Sequence, residues 1–553
     1  MNNNLITYKI GSRDSLLALT QTTQVKRDLE RITNNNINNI KFEIVSLKTS
    51  GDQNTSVPLW QLKGSNFFTK ELDQALIDKR VDLVIHSFKD IGGARPAEIM
   101  LAAVPQRTFA HDILLIKNST VKKLFSGEKK ELVIGTSSPR RSYLLKKSLA
   151  PIFKSINKDI ILKQRDLRGN VNTRLKKLYE GESEYEYDAI ILALAGLERL
   201  FSGDCNTNDT LQEYIDRLNF LVLPPSIFPW ASAQGALAIE CRAEEEKNNS
   251  PLFQLLQQID HYQSRKIALA EKNIFNSYGG GCHQAIGVSI IEFDDVDDKH
   301  NHQIQICLGE KDGEDISKTE IREIREITEE KKIKNIFIGL PKHKQSDPQF
   351  LSDELIEKVL IDINDNDNNN TKFSNAHLFV TSDYTIHTLK KDNNDQSLLI
   401  WCAGTKTMNK LLQKGFWVNG VGDYLGSKEI LNFKKSAFLD KLSGVAEKKW
   451  YVLTREDAKE DLQIGEHVPC YRYKINDVSE EFISKLKNTS TFYWTSSKQF
   501  EIYCQHFPFI INDNHIHATG VGKTYQQLNL KKINVIPFTS IEEFKQWTKK
   551  QIN

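Results

Sequence analysis

The chain has 553 residues, a length that suggests roughly three to five domains with substantial cores. Its net charge of +2 gives no overall basic field of the kind that nucleic-acid binding favours. The seven cysteines show no CxxC or Cys/His spacing, so reduced thiols are expected and no metal site is predicted. No apolar run approaches the roughly 20 residues that span a bilayer, and no leader pattern opens the sequence, so we expect a soluble, cytoplasmic protein without a membrane partner.

The first predicted elements are a strand, a turn and a helix. Residues 8–10 are predicted as a short strand that leads into a glycine turn, and a helix is expected to run to about Arg31. Backbone amides at such a helix start, with Arg13 and Ser15 beside them, suit an anionic group. A plain helix cap is the alternative. Asparagines 34–36 are then predicted as a loop.

The next strand ends in polar side chains. The apolar run 81–85 predicts a buried strand, and Lys89 and Asp90 follow at its carboxyl end. Ligands of open α/β sheets lie beyond the carboxyl ends of the strands. A carboxylate placed there beside cations can transfer a proton or stabilise a developing cation. The alternative for these two residues is a surface salt bridge.

Arginines and hydroxyls accumulate at the ends of the strands that follow. Arginine is well shaped for bidentate binding of carboxylates, so this pattern implies a substrate with several carboxylates or phosphates. Nucleic acid is the competing polyanion, but acidic residues separate the arginines and no aromatic side chains interleave them. The side chains that carry this inference are Thr136, Ser138, Arg140, Arg141, Arg168, Arg174 and Arg199.

The chain is then predicted to return to its first unit. Residues 229–240 contain a glycine turn that feeds a strand, and its position suggests two α/β lobes joined by hinges around a cleft. The smaller α+β unit that follows contains three consecutive glycines before Cys282. A thiol on such a loop can serve as a covalent attachment point. The alternatives are an ordinary turn cysteine and, for two hinged lobes, a non-catalytic solute-binding module.

Seven motifs in the first half occur in the order of one enzyme family. Residues 5 to about 310 resemble porphobilinogen deaminase, also called hydroxymethylbilane synthase. The matching motifs are GSRDSLLAL (11–19), FFTKEL (67–72), HSFKD (86–90), GTSSPRR (135–141), LRGNVNTRL (167–175), DAIILALAGLERL (188–200) and GGGCHQAIG (279–287).

The resemblance implies a dipyrromethane cofactor joined by a thioether to Cys282, on the loop that includes Gly281. Four porphobilinogen molecules are added in turn to this primer, each with loss of ammonia, and hydroxymethylbilane is released by hydrolysis. Asp90 matches the family's catalytic aspartate and is also expected to contact the cofactor. The other positions that match cofactor contacts are Lys89, Ser138, Arg140 and Arg141, and those that match substrate contacts are Arg13, Ser15, Thr136, Arg168, Arg174 and Arg199.

Two departures from the family pattern lie near the predicted active site. Ser65 stands where the family carries a lysine, and Lys63 lies two residues earlier, so whether Lys63 takes that place is open. Residues 91–93 read Ile-Gly-Gly where the family usually has a proline. A looser active-site loop is therefore expected.

The second half repeats an α/β pattern. The charge-dense segment 310–332 is predicted to close the preceding domain with a helix and then to act as a linker, and residues 362–370 form a polar low-complexity loop. Strand, polar turn and helix then recur, which predicts a duplicated module with backbone amides facing a ligand. The predicted segments are the strand and turn at 378–382, 398–407, 491–496 and 515–524, with a short strand at 416–420.

This duplicated arrangement resembles uroporphyrinogen-III synthase, a family with two α/β lobes and substrate in the cleft between them. That family closes the linear tetrapyrrole while inverting its last ring, with loss of water, so the resemblance favours a fusion of two consecutive steps. Tyr471 is a candidate for binding and for proton donation. The other binding candidates, for which turn and cap roles are the alternative, are Thr405, Thr407, Thr495, Ser496 and Thr524.

The predicted architecture is a multidomain α/β protein. It comprises two periplasmic-binding-protein-like α/β lobes, a small α+β domain and a two-lobed, flavodoxin-like synthase module. The expected ligands are porphobilinogen and hydroxymethylbilane, and a monomer is expected. The alternative is that only the deaminase is active and that the last module is non-catalytic. The predicted boundaries are 1–108 with 222–242, 109–221, 243–332 and 333–553.

Overall fold

The computed structural model divides the chain into two compact units. Unit 1 comprises Met1–Ile290, Ile306–Ser317 and Phe433–Glu447, and unit 2 comprises Ile291–Gln305, Lys318–Asn432 and Lys448–Asn553. Within the described residues, no helix is both long and apolar enough to span a membrane. The structure describes residues 5–36, 39–49, 69–92, 95–181, 186–202, 208–281, 284–293, 302–322, 335–345, 347–361, 373–389, 398–444, 447–458 and 463–552.

The strands and helices alternate along most of the chain, as expected of an α/β protein. The strands are β1 Ile6–Arg13, β2 Ile40–Leu47, β3 Leu83–Ser87, β4 Ile99–Ala103, β5 Asp112–Lys117, β6 Glu131–Gly135, β7 Ile161–Arg165, β8 Ala189–Ala193, β9 Leu218–Val222, β10 Leu237–Arg242, β11 Ala285–Phe293, β12 His302–Lys311 and β13 Glu314–Arg322. They continue with β14 Ile336–Pro341, β15 Phe350–Asp353, β16 Ile356–Leu360, β17 Ala376–Val380, β18 Leu399–Cys402, β19 Gly420–Val421, β20 Lys449–Arg455, β21 Glu466–Ile475, β22 Thr491–Trp494, β23 Ile516–Gly520 and β24 Val535–Phe538.

The helices lie mainly between successive strands. They are α1 Leu16–Asn36, α2 Lys70–Ile77, α3 Asn118–Phe125, α4 Pro139–Leu144, α5 Ala150–Ile156, α6 Val171–Glu180, α7 Leu194–Ser202, α8 Asn208–Ile215, α9 Ala243–Lys247, α10 Pro251–Ile259 and α11 Tyr262–Ser277. Those of the remaining chain are α12 Thr405–Gln413, α13 Ser427–Phe433, α14 Ala437–Ser443, α15 Glu480–Lys487, α16 Ser497–His506, α17 Lys523–Leu530 and α18 Ile541–Ile552.

The first sheet of unit 1 has the strand order β2-β1-β3-β10-β4. β1 runs parallel to β2 and β3, whereas β10 is antiparallel to β3 and β4. Because β10 follows the second sheet in sequence, this pairing confirms the predicted return of the chain to its first unit. The core on one face joins Ile10, Leu83 and Ile239 of the strands to Val25 and Leu29 of α1.

The second sheet repeats this topology with the order β7-β6-β8-β5-β9. β6 is parallel to β7 and β8, and β5 is antiparallel to β8 and β9. In both sheets, therefore, the strand in the fourth position of the sheet order, β10 or β5, runs antiparallel to its two neighbours. The carboxyl ends of β3 and β6 carry the polar segments that the sequence singled out.

Two sequence-based element predictions in this part are wrong. α1 continues to Asn36, so the asparagines at 34–36 are helical and not a loop; asparagine costs a helix only about 0.7 kcal/mol relative to alanine, and no glycine or proline interrupts the run. Within the segment 310–332, which was predicted to close its domain with a helix, residues 314–322 form strand β13, and residues 323–332 lie outside the described residues. The turn before β13 is Asp312-Gly313, with φ of 53° and 83°, as a type I′ hairpin turn requires.

Unit 2 contains two sheets that have the orders β15-β14-β22-β23-β24 and β16-β21-β20-β17-β18-β19. All pairs in the first are parallel, and its order reads 2-1-3-4-5 along the chain, as in flavodoxin-like sheets. In the second, only β16 is antiparallel to its neighbour. The strand predicted at 416–420 is wrong in its bounds, because β19 comprises only Gly420–Val421.

Candidate active site

Asp90 lies in a one-turn 3₁₀ helix, Phe88–Asp90, that follows strand β3 directly. The Phe88 amide donates to the Ala236 carbonyl at 3.0 Å, which ties this turn to the segment that precedes β10. Lys272 of α11 donates to the carbonyls of Lys89 at 3.2 Å and of Ile91 at 2.5 Å. The turn that presents Asp90 is therefore fixed from both sides by residues distant in sequence.

The Lys89 ammonium lies in a cationic environment beside Asp90. Its Nζ is 3.5 Å from Oε1 of Gln234. Burial, together with the charges of Arg140 and Arg141, lowers the pKa of Lys89 to about 8, against the opposing effect of Asp90 and Asp112. A lysine in this state still binds an anion as a cation near neutral pH, and its charge becomes sensitive to pH just above that range.

Asp112, at the start of β5, forms ion pairs with two buried arginines. Its Oδ2 is 2.7 Å from Nη2 of Arg140, and its Oδ1 is 2.7 Å from Nη2 and 3.2 Å from Nε of Arg141. Gln234 donates to the same Oδ1 at 3.1 Å. Burial alone would raise the pKa of Asp112, but Arg140 and Arg141 hold it well below its usual range. One carboxylate therefore orients both arginines of the 135–141 motif.

The arginines of the later motifs extend this positive field. Burial lowers the pKa of Arg174 to about 10, and the charges of Arg141 and Arg168 act in the same direction. Burial also lowers the pKa of Arg199 to about 10. Arg199 donates through Nη2 to the Gly235 carbonyl at 2.7 Å. Arg13, the last residue of β1, acts electrostatically on His86 of β3.

The arrangement fits a ligand with several carboxylates. Cations outnumber carboxylates around Asp90 and Asp112, and a depressed arginine or lysine pKa reflects a charge that lacks full compensation. The Nε atom of Arg199 is buried and has no hydrogen-bond acceptor within the part of the chain that the structure describes. A carboxylate brought beside these side chains would satisfy donors and offset the unfavourable burial of like charges.

The predicted hydroxyl contacts occupy turns and helix starts. Ser15 Oγ accepts from the Ala18 amide at 3.4 Å, as a helix cap does. Ser138 is the N-cap of α4 and accepts from the Arg141 amide at 3.5 Å. Thr136 Oγ1 accepts from the Ser138 amide at 3.3 Å. The hydroxyls of Thr136 and Ser138 fix the backbone that carries Arg140 and Arg141.

The glycine loop has the backbone that the sequence predicted. Gly279, Gly280 and Gly281 all have positive φ, at 108°, 63° and 95°. A Cβ at Gly280 would lie 2.9 Å from Oδ1 of Asn276, so a side chain there would also collide with the end of α11. Cys282 lies outside the described residues, as does Lys63.

Comparison with known proteins connects this geometry to one family. Residues 8–250 match the model "Porphobilinogen deaminase, dipyromethane cofactor binding domain". The chain is 35% identical to porphobilinogen deaminase of Gloeobacter violaceus over 312 residues, 56% of this chain and 84% of the relative. It is 37% identical to the Bacillus subtilis deaminase over 290 residues, 52% of this chain and 81% of the relative. The chain belongs to the porphobilinogen deaminase family.

Membership of the porphobilinogen deaminase family brings with it the dipyrromethane cofactor, because the matched domain is the one that binds it covalently. The arginines at the strand ends of this chain are suited to bind a cofactor and a substrate that both carry acetate and propionate groups. Sequence reasoning missed Asp112, Gln234 and Lys272. The carboxylate of Asp112 precedes an apolar strand and gave no signal, whereas Gln234 lies in the glycine turn already identified.

Solved structures give weaker likenesses. Uroporphyrinogen-III synthetase of Helicobacter pylori aligns with 39% of this chain and 99% of its own at 13% identity, with a TM-score of 0.28. A periplasmic sulfonate-binding protein of Methylobacillus flagellatus aligns with 48% of this chain and 73% of its own at 12% identity, with a TM-score of 0.24. Such low scores do not establish a common fold.

Unit 2 contains a second cluster of cations, built on aromatic rings. Tyr471 and Tyr473 lie two residues apart on β21 and therefore share one face of the sheet. Lys358 lies opposite Tyr473 on the antiparallel strand β16. The Nζ atom of Lys358 is 4.4 Å from the ring centroid of Tyr384, 5.8 Å from that of Tyr471 and 5.9 Å from that of Tyr473. Arg455 lies 4.8 Å from the Tyr473 ring. Cation–π contacts hold these charges on one face of the sheet.

The sequence-predicted residues of unit 2 divide into two groups. Tyr471 belongs to the cluster; burial raises its pKa, and a hydrogen bond with Ser382 opposes this shift. Ser496 is joined to it through Tyr473, whose hydroxyl is 3.4 Å from Ser496 Oγ. Thr495 instead donates to the Gly339 carbonyl at 3.1 Å. Thr405, Thr407 and Thr524 lie in the first turns of α12 and α17.

Four members of this cluster, Lys358, Tyr384, Arg455 and Tyr473, were not among the sequence-predicted candidates. Tyr473 had a sequence signal, because residues two apart on a strand share a face and Tyr471 was already a candidate. Lys358 and Tyr384 had none, because their contact depends on the pairing of β16 with β21 and on the position of the 3₁₀ helix Asp383–Thr388.

Proposed function

We propose that unit 1 condenses four molecules of porphobilinogen to hydroxymethylbilane and releases one ammonia molecule per condensation. The observation that carries the proposal is the strand-end carboxylate of Asp90 beside a buried excess of cations, in a chain of the porphobilinogen deaminase family. Dipyrromethane, when bound, supplies the covalent primer. The residues Arg140, Arg141 and Lys89 would hold its carboxylates, and Cys282 would anchor it.

In this proposal Asp90 is the acid–base group. Loss of ammonia from porphobilinogen requires a proton on the departing amine and leaves a cationic methylene-pyrrole. A carboxylic acid at the Asp90 position delivers that proton, and the resulting carboxylate stabilises the cation. The bonds from Lys272 to the adjacent carbonyls keep the carboxyl group in place through successive condensations.

The arginines orient the substrate rather than take part in bond changes. Porphobilinogen carries one acetate and one propionate, so each condensation places two new carboxylates in the site. Arg168, Arg174 and Arg199 are the proposed partners, with Arg13, Ser15 and Thr136 contributing at the helix and strand ends. Loss of a single charge-assisted contact is expected to cost about 1.5–3 kcal/mol of binding free energy.

Mass spectrometry of the intact protein tests the attachment site and the activity together. The wild-type protein should exceed its sequence mass by one dipyrromethane, and Cys282→Ser should lack the adduct. Asp90→Asn should keep the adduct and lose turnover. A wild-type protein that carries no adduct and does not consume porphobilinogen would overturn the enzymatic proposal in favour of a binding module.

We further propose that unit 2 closes hydroxymethylbilane to uroporphyrinogen III with inversion of the last ring. The specific observation in its favour is the cluster of Lys358, Arg455 and three tyrosines, which offers cations and aromatic faces to a linear tetrapyrrole with carboxylate side chains. Tyr471 is the proposed proton donor, and Ser496 lies within reach of the same cluster.

The isomer of the oxidised product distinguishes an active unit 2 from a non-catalytic one. Porphobilinogen supplied to the intact protein should yield the type III isomer. Tyr471→Phe should raise the fraction of type I, which forms without enzymatic ring inversion. Type I alone from the wild-type protein would show that only the deaminase is active.

A further inference from the structure

Residues 433–447 belong to unit 1, although the preceding segment of that unit ends at Ser317. They comprise Phe433, a short connection and helix α14, Ala437–Ser443. The family match ends at residue 250, so this segment is not part of the matched domain. Its contacts nevertheless lie directly behind the candidate active site.

Glu198 of α7 caps the start of α14. Its carboxylate accepts from the Ser436 hydroxyl at 2.6 Å, from the Ala437 amide at 2.9 Å and from the Phe438 amide at 3.2 Å. Ser436 Oγ in turn accepts from the Leu439 amide at 3.1 Å. The first three amides of the helix are thereby satisfied, and a negative charge lies where the helix dipole favours it.

The same helix packs on α7 through aromatic rings. Phe438 meets Phe201 edge to face, with ring centroids 5.0 Å apart, and both side chains are buried. Glu198 and Phe201 flank Arg199 on the nine-residue helix α7. The segment therefore holds α7 at positions on both sides of the arginine proposed to bind substrate.

Phe433 supports a second part of the site. Its fully buried ring lies 5.2 Å from the His111 ring and 6.3 Å from the Phe109 ring. His111 precedes Asp112, which binds Arg140 and Arg141. The Phe109 carbonyl would lie 2.8 Å from a Cβ at Gly235, and Gly235 supplies the carbonyl that Arg199 binds. Phe433 thus packs behind the backbone that orients both arginine groups.

We infer that residues 433–444 are a positioning element of the deaminase site. They hold α7 and residues 109–112 so that Arg199 and the arginine pair on Asp112 meet the carboxylates of porphobilinogen. The inference rests on the proposed deaminase function. It predicts that deaminase kinetics depend on a segment from the half of the chain that resembles the synthase.

Steady-state kinetics of the full chain test it, each variant being assayed well below its unfolding temperature. Ser436→Ala removes one partner of Glu198, and Phe433→Leu reduces the support of residues 109–111 without a large cavity. Each should raise KM for porphobilinogen about fivefold, as expected for coupling between neighbouring residues, while the dipyrromethane adduct is retained. Phe544→Leu, in the buried core of unit 2, is the matched control and should leave KM unchanged.

A double-mutant cycle separates positioning from general stability. In an Arg199→Lys background, Ser436→Ala should change KM by less than about twofold, because its effect acts through Arg199. The inference would be overturned if KM were unchanged in both Ser436→Ala and Phe433→Leu. It would also be overturned if Ser436→Ala raised KM by the same factor in the Arg199→Lys background as in the wild-type protein. A wild-type protein that does not consume porphobilinogen would instead overturn the proposed function.

Discussion

Asp112→Asn tests the idea that one buried carboxylate organises the arginines of the site. The substitution keeps the side-chain volume and removes the negative charge. The wild-type carboxylate is fully buried and has contacts with Arg140, Arg141 and Gln234. In the variant two guanidinium groups face a neutral amide, and one amide hydrogen can point toward a cation.

The expected loss of stability follows from those contacts. Removing one partner of a buried ion pair costs about 3–5 kcal/mol, because an uncompensated charge remains in the interior. Here two arginines lose their shared partner, so the loss should lie at the upper end of that range. Asp112 also raises the pKa of Lys89, so the variant should lose the charge of Lys89 at a lower pH than the wild-type protein.

Equilibrium unfolding in denaturant, followed with a probe of unit 1, gives the free energy of unfolding. Asp315→Asn is the matched control, because Asp315 is an exposed carboxylate of the same unit that contacts Lys147 and Tyr143. The control should leave the midpoint unchanged. If Asp112→Asn lowers the free energy of unfolding by less than about 1 kcal/mol, Arg140 and Arg141 do not depend on this carboxylate and the reasoning is wrong.

Three further predictions concern pH. Burial lowers the pKa of Lys89 to about 8, so kcat/KM for porphobilinogen should fall above that pH, and Lys89→Arg should remove the fall. Burial raises the pKa of Glu429 to about 7, so the folded state binds the extra proton between about 4.5 and 7. The stability of the wild-type protein should therefore fall as pH rises through that window. Glu429→Gln lacks this titration, so its unfolding temperature should rise relative to that of the wild-type protein between pH 5 and pH 8. Burial lowers the pKa of His86 to about 3, so stability should fall as pH drops below about 6.5, and His86→Gln should weaken this dependence in acid-unfolding titrations.

The sequence predicted those features of unit 1 that depend on local pattern. The strand-end position of Asp90, the glycine backbone at 279–281 and the return of β10 to the first sheet each follow from hydrophobic runs and glycine positions, and the structure has all three. The helix expected within the charge-dense segment 310–332 is a strand over Glu314–Arg322. The Asp312-Gly313 turn was the stronger signal.

What the sequence did not predict depends on contacts between distant segments. Asp112 acquires its role only when β5 pairs between β8 and β9 and so comes beside α4. Lys358 meets Tyr473 only through the register of β16 and β21. Hydrophobic periodicity identifies an element and its buried face, but it contains no information on which polar groups a fold brings together.

Topology explains why the chemistry concentrates at one turn. β10 belongs to the first sheet, but the chain reaches it only after completing the second, so the turn before β10 passes beside both sheets. Gln234 in that turn contacts Lys89 from the first sheet and Asp112 from the second, and the Gly235 carbonyl binds Arg199. A side chain at Gly235 would approach the Thr108 and Phe109 carbonyls to 2.8 Å, so this turn tolerates only glycine without a shift of the backbone. A displacement of the turn would therefore move the groups around Asp90 and the arginines together, which is why we expect substitutions there to affect binding and turnover at once.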